Sequence, residues 1–165
     1  MDGLDQRLTV ERRYDASPQT VWDAWTTPDA VSAWWGPHGY STKVQLLEAR
    51  TGGRFTYVMT AVTPELVRFA DHHGLPRSTM VSGRFDRVMA PRCLTIAQRV
   101  DFVPGVDSYE VLVSLEVLPV HGRPSKARIR LQIGRMHDDE WTERCLQGWQ
   151  GQLRRLASHL RISHG

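Results

Sequence analysis

Residues 10–37 read VERRYDASPQTVWDAWTTPDAVSAWWGP. The stretch contains two changes of period. Leu8, Val10 and Tyr14 alternate with Thr9, Glu11 and Arg13, so residues 7–14 predict a half-buried strand. At residues 15–18 the alternation stops: Ser17 suits a helix N-cap and Pro18 the first helical position. The helix that follows lines up Val21, Trp22 and Trp25. The pattern then repeats, with Thr27 as cap, Pro28 at the start, and Val31 with Trp34 or Trp35 as the apolar side. Gly36-Pro37 ends the second helix. Adjacent side chains point about 100° apart on a helix and to opposite faces of a strand. Trp34 and Trp35 are therefore not expected to enter the same piece of core.

Beyond this opening, strand signals dominate. Residues 42–49 lead into Arg50-Thr51-Gly52-Gly53, whose double glycine supplies the positive φ of a tight hairpin or bulge. On the outgoing strand Phe55, Tyr57 and Met59 share a face. Residues 63–74 predict a short helix within a longer connection, with Thr63 as cap, Pro64 at its start and Gly74 at its end. Four more strands follow, over residues 80–89, 93–102, 109–118 and 126–133. Their apolar sides are clear: Leu94, Ile96 and Val100 with Gln98 among them, then Tyr109, Val111, Val113, Leu115 and Val117, then Ala127, Ile129, Leu131 and Ile133. Such alternation describes an antiparallel meander with one apolar face. Arg84 can point either way if Gly83 marks a bulge.

The longest helix spans residues 138–160, with Asp138, Asp139 and Glu140 at its positive end. Its apolar stripe is Trp141, Cys145, Trp149, Leu153, Leu156 and Leu160. Gly148 costs up to about 1 kcal/mol relative to alanine in a helix, which predicts a close approach there, by the sheet. The order is thus β, α, α, six β, α, with one small extra helix: an α+β chain. A strongly bent sheet of six or seven strands needs the long C-terminal helix as its cover. A single helix cannot fill it, so a gap can remain between them.

Composition bounds the function. The 165 residues are 41% hydrophobic and 24% charged, as in an average globular domain, and are expected to form one domain over residues 1–165. Cys93 and Cys145 form no CxxC pair, lie in apolar periodic segments and are read as buried free thiols of a reducing compartment. The N-terminus has no apolar run and no stretch approaches the roughly 20 apolar residues of a membrane span, so a cytoplasmic protein is expected. The net charge is +3; residues 121–165 hold 9 basic against 4 acidic residues. Arg154, Arg155 and Arg161 are read as solvated complements of the helix dipole, because no nucleic-acid motif accompanies them. No G-x-S-x-G elbow, P-loop or dinucleotide-binding glycine pattern occurs. Asp71-His72-His73 and His137 to Glu140 contain ligand-type residues without zinc-site spacing, so no metal and no cofactor are expected.

The stretches over residues 10–37, EARTGGRFTYVM (48–59), GRFDRV (83–88) and LQGWQGQLRRLASHL (146–160) resemble the activator-of-Hsp90-ATPase-homologue branch of the START-like, Bet v 1-like (SRPBCC) superfamily, across nearly the whole chain. The resemblance implies a helix-grip fold: a curved antiparallel sheet wrapped around a long C-terminal helix, with two short helices after the first strand. It also places the Trp34-Trp35 pair near a cavity mouth. One ring is expected in the core and the other beside the cavity with His38 and Tyr40; the alternative is that both are purely structural.

The expected cavity lining is Trp34, Trp35, His38, Tyr40, Phe55, Tyr57, Met59, Gln98, Tyr109, Trp141, Cys145 and Trp149. A mostly apolar lining with a few polar points suits a small apolar or aromatic ligand. The leading expectation is therefore a ligand-binding protein, with His38, Tyr57 and Gln98 orienting polar groups. One alternative is an enzyme of the same fold acting on an aromatic or polyketide-like substrate, with a titratable group such as His38 or Tyr57 in the cavity. Another is an interaction role like that of the Hsp90 co-chaperone, whose second domain the chain resembles and whose separate N-terminal domain has no counterpart here. A homodimer through a sheet edge or the basic helix is a further expectation.

Overall fold

The computed structural model describes residues 7–101 and 103–163. The readings made on residues 1–6 and on Phe102 lie outside the described residues. Leu8–Tyr14 forms β1, Pro18–Thr26 α1 and Pro28–Trp34 α2. Tyr40–Leu47 (β2) and Arg54–Ala61 (β3) precede α3, Pro64–His72. Ser78–Met89 (β4), Cys93–Val100 (β5), Tyr109–Val120 (β6) and Arg123–Ile133 (β7) follow, and Asp139–Ser163 forms α4.

All seven strands join one antiparallel sheet in the order β1-β7-β6-β5-β4-β3-β2, curved into a half-barrel. β1 and β2 are neighbours in sequence but opposite edges of the sheet. The chain between them must therefore cross the open side of the half-barrel, and α1 and α2 are that crossing. β1 runs against the last strand, Leu8 opposite Ile133 and Tyr14 opposite Ala127.

Local chemistry sets these boundaries. Ser17 caps α1: its Oγ accepts from the Thr20 N–H at 3.1 Å. Thr27 and Thr63 occupy the predicted cap positions with extended backbone, but neither side chain makes a capping bond. Thr27 is shared by two helices: its N–H donates to Asp23 O at 3.0 Å and closes α1. Gly52 takes φ +83° in the β2–β3 turn. Gly53 is needed for space instead, since a Cβ there would lie 1.9 Å from Glu48 O. The break in β4–β5 register falls between Phe85 and Arg87, not at Gly83. Arg84 consequently faces solvent, where it donates to Asp86 at 2.7 Å and Glu110 at 3.0 Å.

One core fills the concave side. It joins the inner faces of the strands to Trp22 and Trp25 of α1, Val31 and Trp34 of α2, and Trp149, Leu153, Leu156 and Leu160 of α4. The expectation that Trp34 and Trp35 do not enter the same piece of core is overturned. Both are buried, at 0% and 2% exposure, in the same core, with ring centroids 5.2 Å apart. The helix ends between them: Trp35 has φ −70° and ψ 145°, an extended conformation that redirects its Cβ. Both rings pack edge-on against Trp25, at 4.9 Å and 5.7 Å. Trp34 also donates from Nε1 to Ala24 O at 2.8 Å, pinning α2 to α1.

Candidate functional site

The stripe on α4 does not stay on one side of the helix. Each four-residue step advances about 40° around a helix of 3.6 residues per turn. Leu153, Leu156 and Leu160 in the C-terminal half are buried in the core, whereas Trp141 and Cys145 in the N-terminal half are only partly buried. Opposite that first half, the inner faces of β3, β4 and β5 are left without a cover. A groove of about 710 Å³ opens there, walled by α4 on one side and by the sheet and the Trp35–Pro37 turn on the other.

Of the predicted residues, Trp35, Tyr40, Tyr57 and Met59 line it from the turn, β2 and β3. Gln98 lines it from β5, and Trp141, Cys145 and Trp149 from α4. Four are placed elsewhere. Trp34 is enclosed by the core. Phe55 packs there too, with ring centroids 5.3 Å from Trp35 and 5.8 Å from Phe85. His38 is exposed on the turn between Gly36 and Gly39, whose φ values of 101° and 91° swing it outward. The titratable cavity histidine that the enzyme alternative relied on is therefore not in the groove. Tyr109 opens β6 outside the groove, and its hydroxyl lies 2.6 Å from His137 Nδ1 while accepting from the His137 N–H at 3.0 Å.

Burial shifts two titratable groups of the groove toward their neutral forms. Burial pushes the Tyr57 hydroxyl pKa up, against a contact from Trp35 that lowers it. Burial raises the Cys145 thiol as well. Both stay protonated at neutral pH. Cys145 and Cys93 are free thiols, but only partly buried. The charged lining, Arg99, Asp101 and Arg144, is exposed at the rim. Arg144 is already engaged, donating to Glu140 at 2.8 Å and lying 5.2 Å over the Trp141 ring. Among the described residues no group of three or more His, Cys, Asp or Glu could hold a metal ion. No helix among them is long and apolar enough to cross a membrane.

The sequence reading missed Gly148 and Gln152 on the lining and Arg155 behind it. Gly148 was expected to meet the sheet, but a Cβ there would meet nothing within 4 Å: it faces the groove and leaves a slot in the α4 wall. Gln152, one turn later, lines the groove while only 7% exposed. Its place four residues after Gly148 was a signal available in the sequence. Arg155, expected in solvent, instead braces the turn that forms one wall. Its Nη1 donates to Gly36 O at 2.7 Å and is shared with the carbonyls of Trp35, Pro37 and Tyr40, each at 3.3 Å. Desolvation lowers its pKa.

The same architecture occurs in solved structures. An AHSA1 protein from Silicibacter pomeroyi superposes with a TM-score of 0.74 at 24% identity, covering 96% of this chain and 99% of that one. A protein from Chromobacterium violaceum gives 0.71 at 22% identity, with 94% and 97% covered. An AHSA1-like protein from Aeromonas hydrophila gives 0.65 at 18% identity, with 95% and 94% covered. At these identities the likeness establishes the fold. No curated protein matches the sequence. The sequence model described as "Activator of Hsp90 ATPase homolog 1-like protein" matches residues 15–161, and with the helix-grip fold around α4 this shows that the chain belongs to that family.

Proposed function

We propose that this protein binds a small, mostly apolar or aromatic ligand in the groove between β3–β5 and the first half of α4. The observation that carries the reading is the open slot at Gly148. A glycine in mid-helix is unfavourable by about 0.5–1 kcal/mol relative to alanine. Here no neighbouring atom lies within 4 Å of where a Cβ would be, so intramolecular packing does not require it. Space kept inside a groove walled by Trp35, Tyr57, Trp141 and Trp149 suits a flat apolar guest. Binding is favoured over turnover because the lining holds no histidine and its one carboxylate, Asp101, is exposed at the rim, which leaves the buried part of the groove without an ordinary general base.

Replacing Gly148 tests the reading. Gly148→Ala is expected to stabilise the fold by about 0.5–1 kcal/mol in thermal or denaturant unfolding, because no clash opposes the gain in helix propensity. Gly148→Leu is expected to fill the slot. A neutral fluorescent probe, N-phenyl-1-naphthylamine, should bind the wild type saturably, and Gly148→Leu should weaken it at least ~10-fold while the protein stays folded. Absence of saturable binding to the wild type, or equal affinity for a folded Gly148→Leu, would contradict the assignment.

A further inference from the structure

Where β1 meets β7, the outer face of the sheet carries charges in register. Glu11 stands opposite Arg130, whose guanidinium reaches Glu11 at 3.1 Å and Glu116 at 3.3 Å. Two residues further along the same face the complementarity stops, and Arg13 stands opposite Arg128. Like charges directly opposed across a strand pair are destabilising. Among the described residues neither arginine side chain has a hydrogen bond or an ion pair, and the same holds for Arg123 at the start of β7.

At this point a cleft of about 250 Å³ opens between the end of β1 and the β6–β7 hairpin, lined by Arg13, Tyr14, Asp15, Val120, Arg123 and Lys126. Its one carboxylate, Asp15, accepts from Lys126 Nζ at 2.6 Å. That hydrogen bond and the lysine charge hold the Asp15 carboxyl below the usual carboxylate range, so it stays ionised. Three cations against one carboxylate leave the lining with two positive charges in excess. Arg128 adds another beside it.

We infer that this cleft binds the dianionic phosphate group of a small phosphomonoester, held by the guanidiniums of Arg13 and Arg123. Each guanidinium offers a planar fork of donors that matches phosphate oxygens. A phosphomonoester carries about −1.5 to −2 at neutral pH, which balances the excess charge of the lining. The bound anion also offsets the repulsion between Arg13 and Arg128, which gives the like-charge pair a use that packing does not. The cations gather on a cleft closed on one side by the hairpin, which suits a single compact group better than a long polyanion. The cleft shares no residue with the groove, so the inference stands apart from the reading of the groove.

Phenyl phosphate and methyl phenyl phosphate test it, because they carry the same ring and differ by one charge. By titration calorimetry in about 0.1 M salt, where distant charges are screened, the wild type is expected to bind phenyl phosphate at least ~10-fold more tightly than the diester. Arg13→Gln and Arg123→Gln should each weaken phenyl phosphate at least ~10-fold, as loss of a charge-assisted donor does. Arg68→Gln removes an equal charge from an exposed position on α3 and should change the affinity less than about 2-fold. Without ligand, Arg13→Gln should unfold at the wild-type midpoint or above it, since the like-charge contact is gone. Phenyl phosphate should raise the midpoint of the wild type and not that of Arg13→Gln. No binding to the wild type, equal affinity for monoester and diester, or phenyl phosphate binding that survives both cleft substitutions would overturn the inference. So would a marked loss of stability in ligand-free Arg13→Gln, which would show that the arginine serves the fold.

Discussion

Trp149→Ala is expected to destabilise the protein by about 3–5 kcal/mol, read from the midpoint of denaturant unfolding at unchanged slope. Trp149 is 4% exposed and stands where α4 passes from groove to core. Its ring stacks on Trp25, centroids 6.0 Å apart and planes within 8°, and meets Trp35 edge-on at 5.3 Å. Trp25 belongs to α1 and Trp35 follows α2, so one side chain joins the terminal helix to both short helices. Truncation removes a large apolar surface and leaves a cavity that Trp25, itself held among Trp34 and Trp35, cannot collapse to fill. Trp149→Phe, which keeps an aromatic ring, should cost distinctly less. An alanine variant within about 1 kcal/mol of the wild type would show that this packing does not hold α4 in place.

Arg155→Met is expected to cost about 2–3 kcal/mol, since it keeps much of the aliphatic stem and removes the charge-assisted donor. The four carbonyls it serves converge because Gly36 and Gly39 both take positive φ, folding residues 35–40 into a loop around the guanidinium. Nη1 has two protons, so the 2.7 Å bond to Gly36 O is the principal one and the three at 3.3 Å share what remains. Thr42 Oγ1 donates to Trp35 O at 2.6 Å, which leaves that carbonyl less dependent on Arg155. Because a single nitrogen makes all four contacts, Arg155→Lys should recover part of the loss. The readout is unfolding free energy together with amide exchange in residues 36–40, which should quicken in the methionine variant. Unchanged stability would show that the arginine merely rests on the turn.

The fold was legible because its signals are periodic. Alternation marked β1, β3, β5, β6 and β7, and Ser17-Pro18, Thr27-Pro28 and Thr63-Pro64 marked the three short helices to the residue at their starts. The site was legible where inward parity on a strand was enough, as at Tyr57, Met59 and Gln98, and along the first half of the α4 stripe, at Trp141, Cys145 and Trp149. Position along a strand decides the rest: Phe55 shares a face with Tyr57 but lies deeper, against Phe85. Trp35 and His38 depended on how the chain turns after α2, which the glycine conformations decide and a linear pattern does not. Arg155 was misplaced because charge suggested solvent, whereas its partners are carbonyls more than 110 positions away in sequence. On α4 the spacing by fours concealed a drift of about 40° per step, so residues taken as one stripe serve two surroundings.

The most direct test is a crystal structure of the protein soaked with N-phenyl-1-naphthylamine. Density for the aromatic probe is expected over Gly148, between Tyr57 and Trp141. A groove closed by its own side chains, or the probe bound only elsewhere, such as the basic cleft between Arg13 and Lys126, would contradict it.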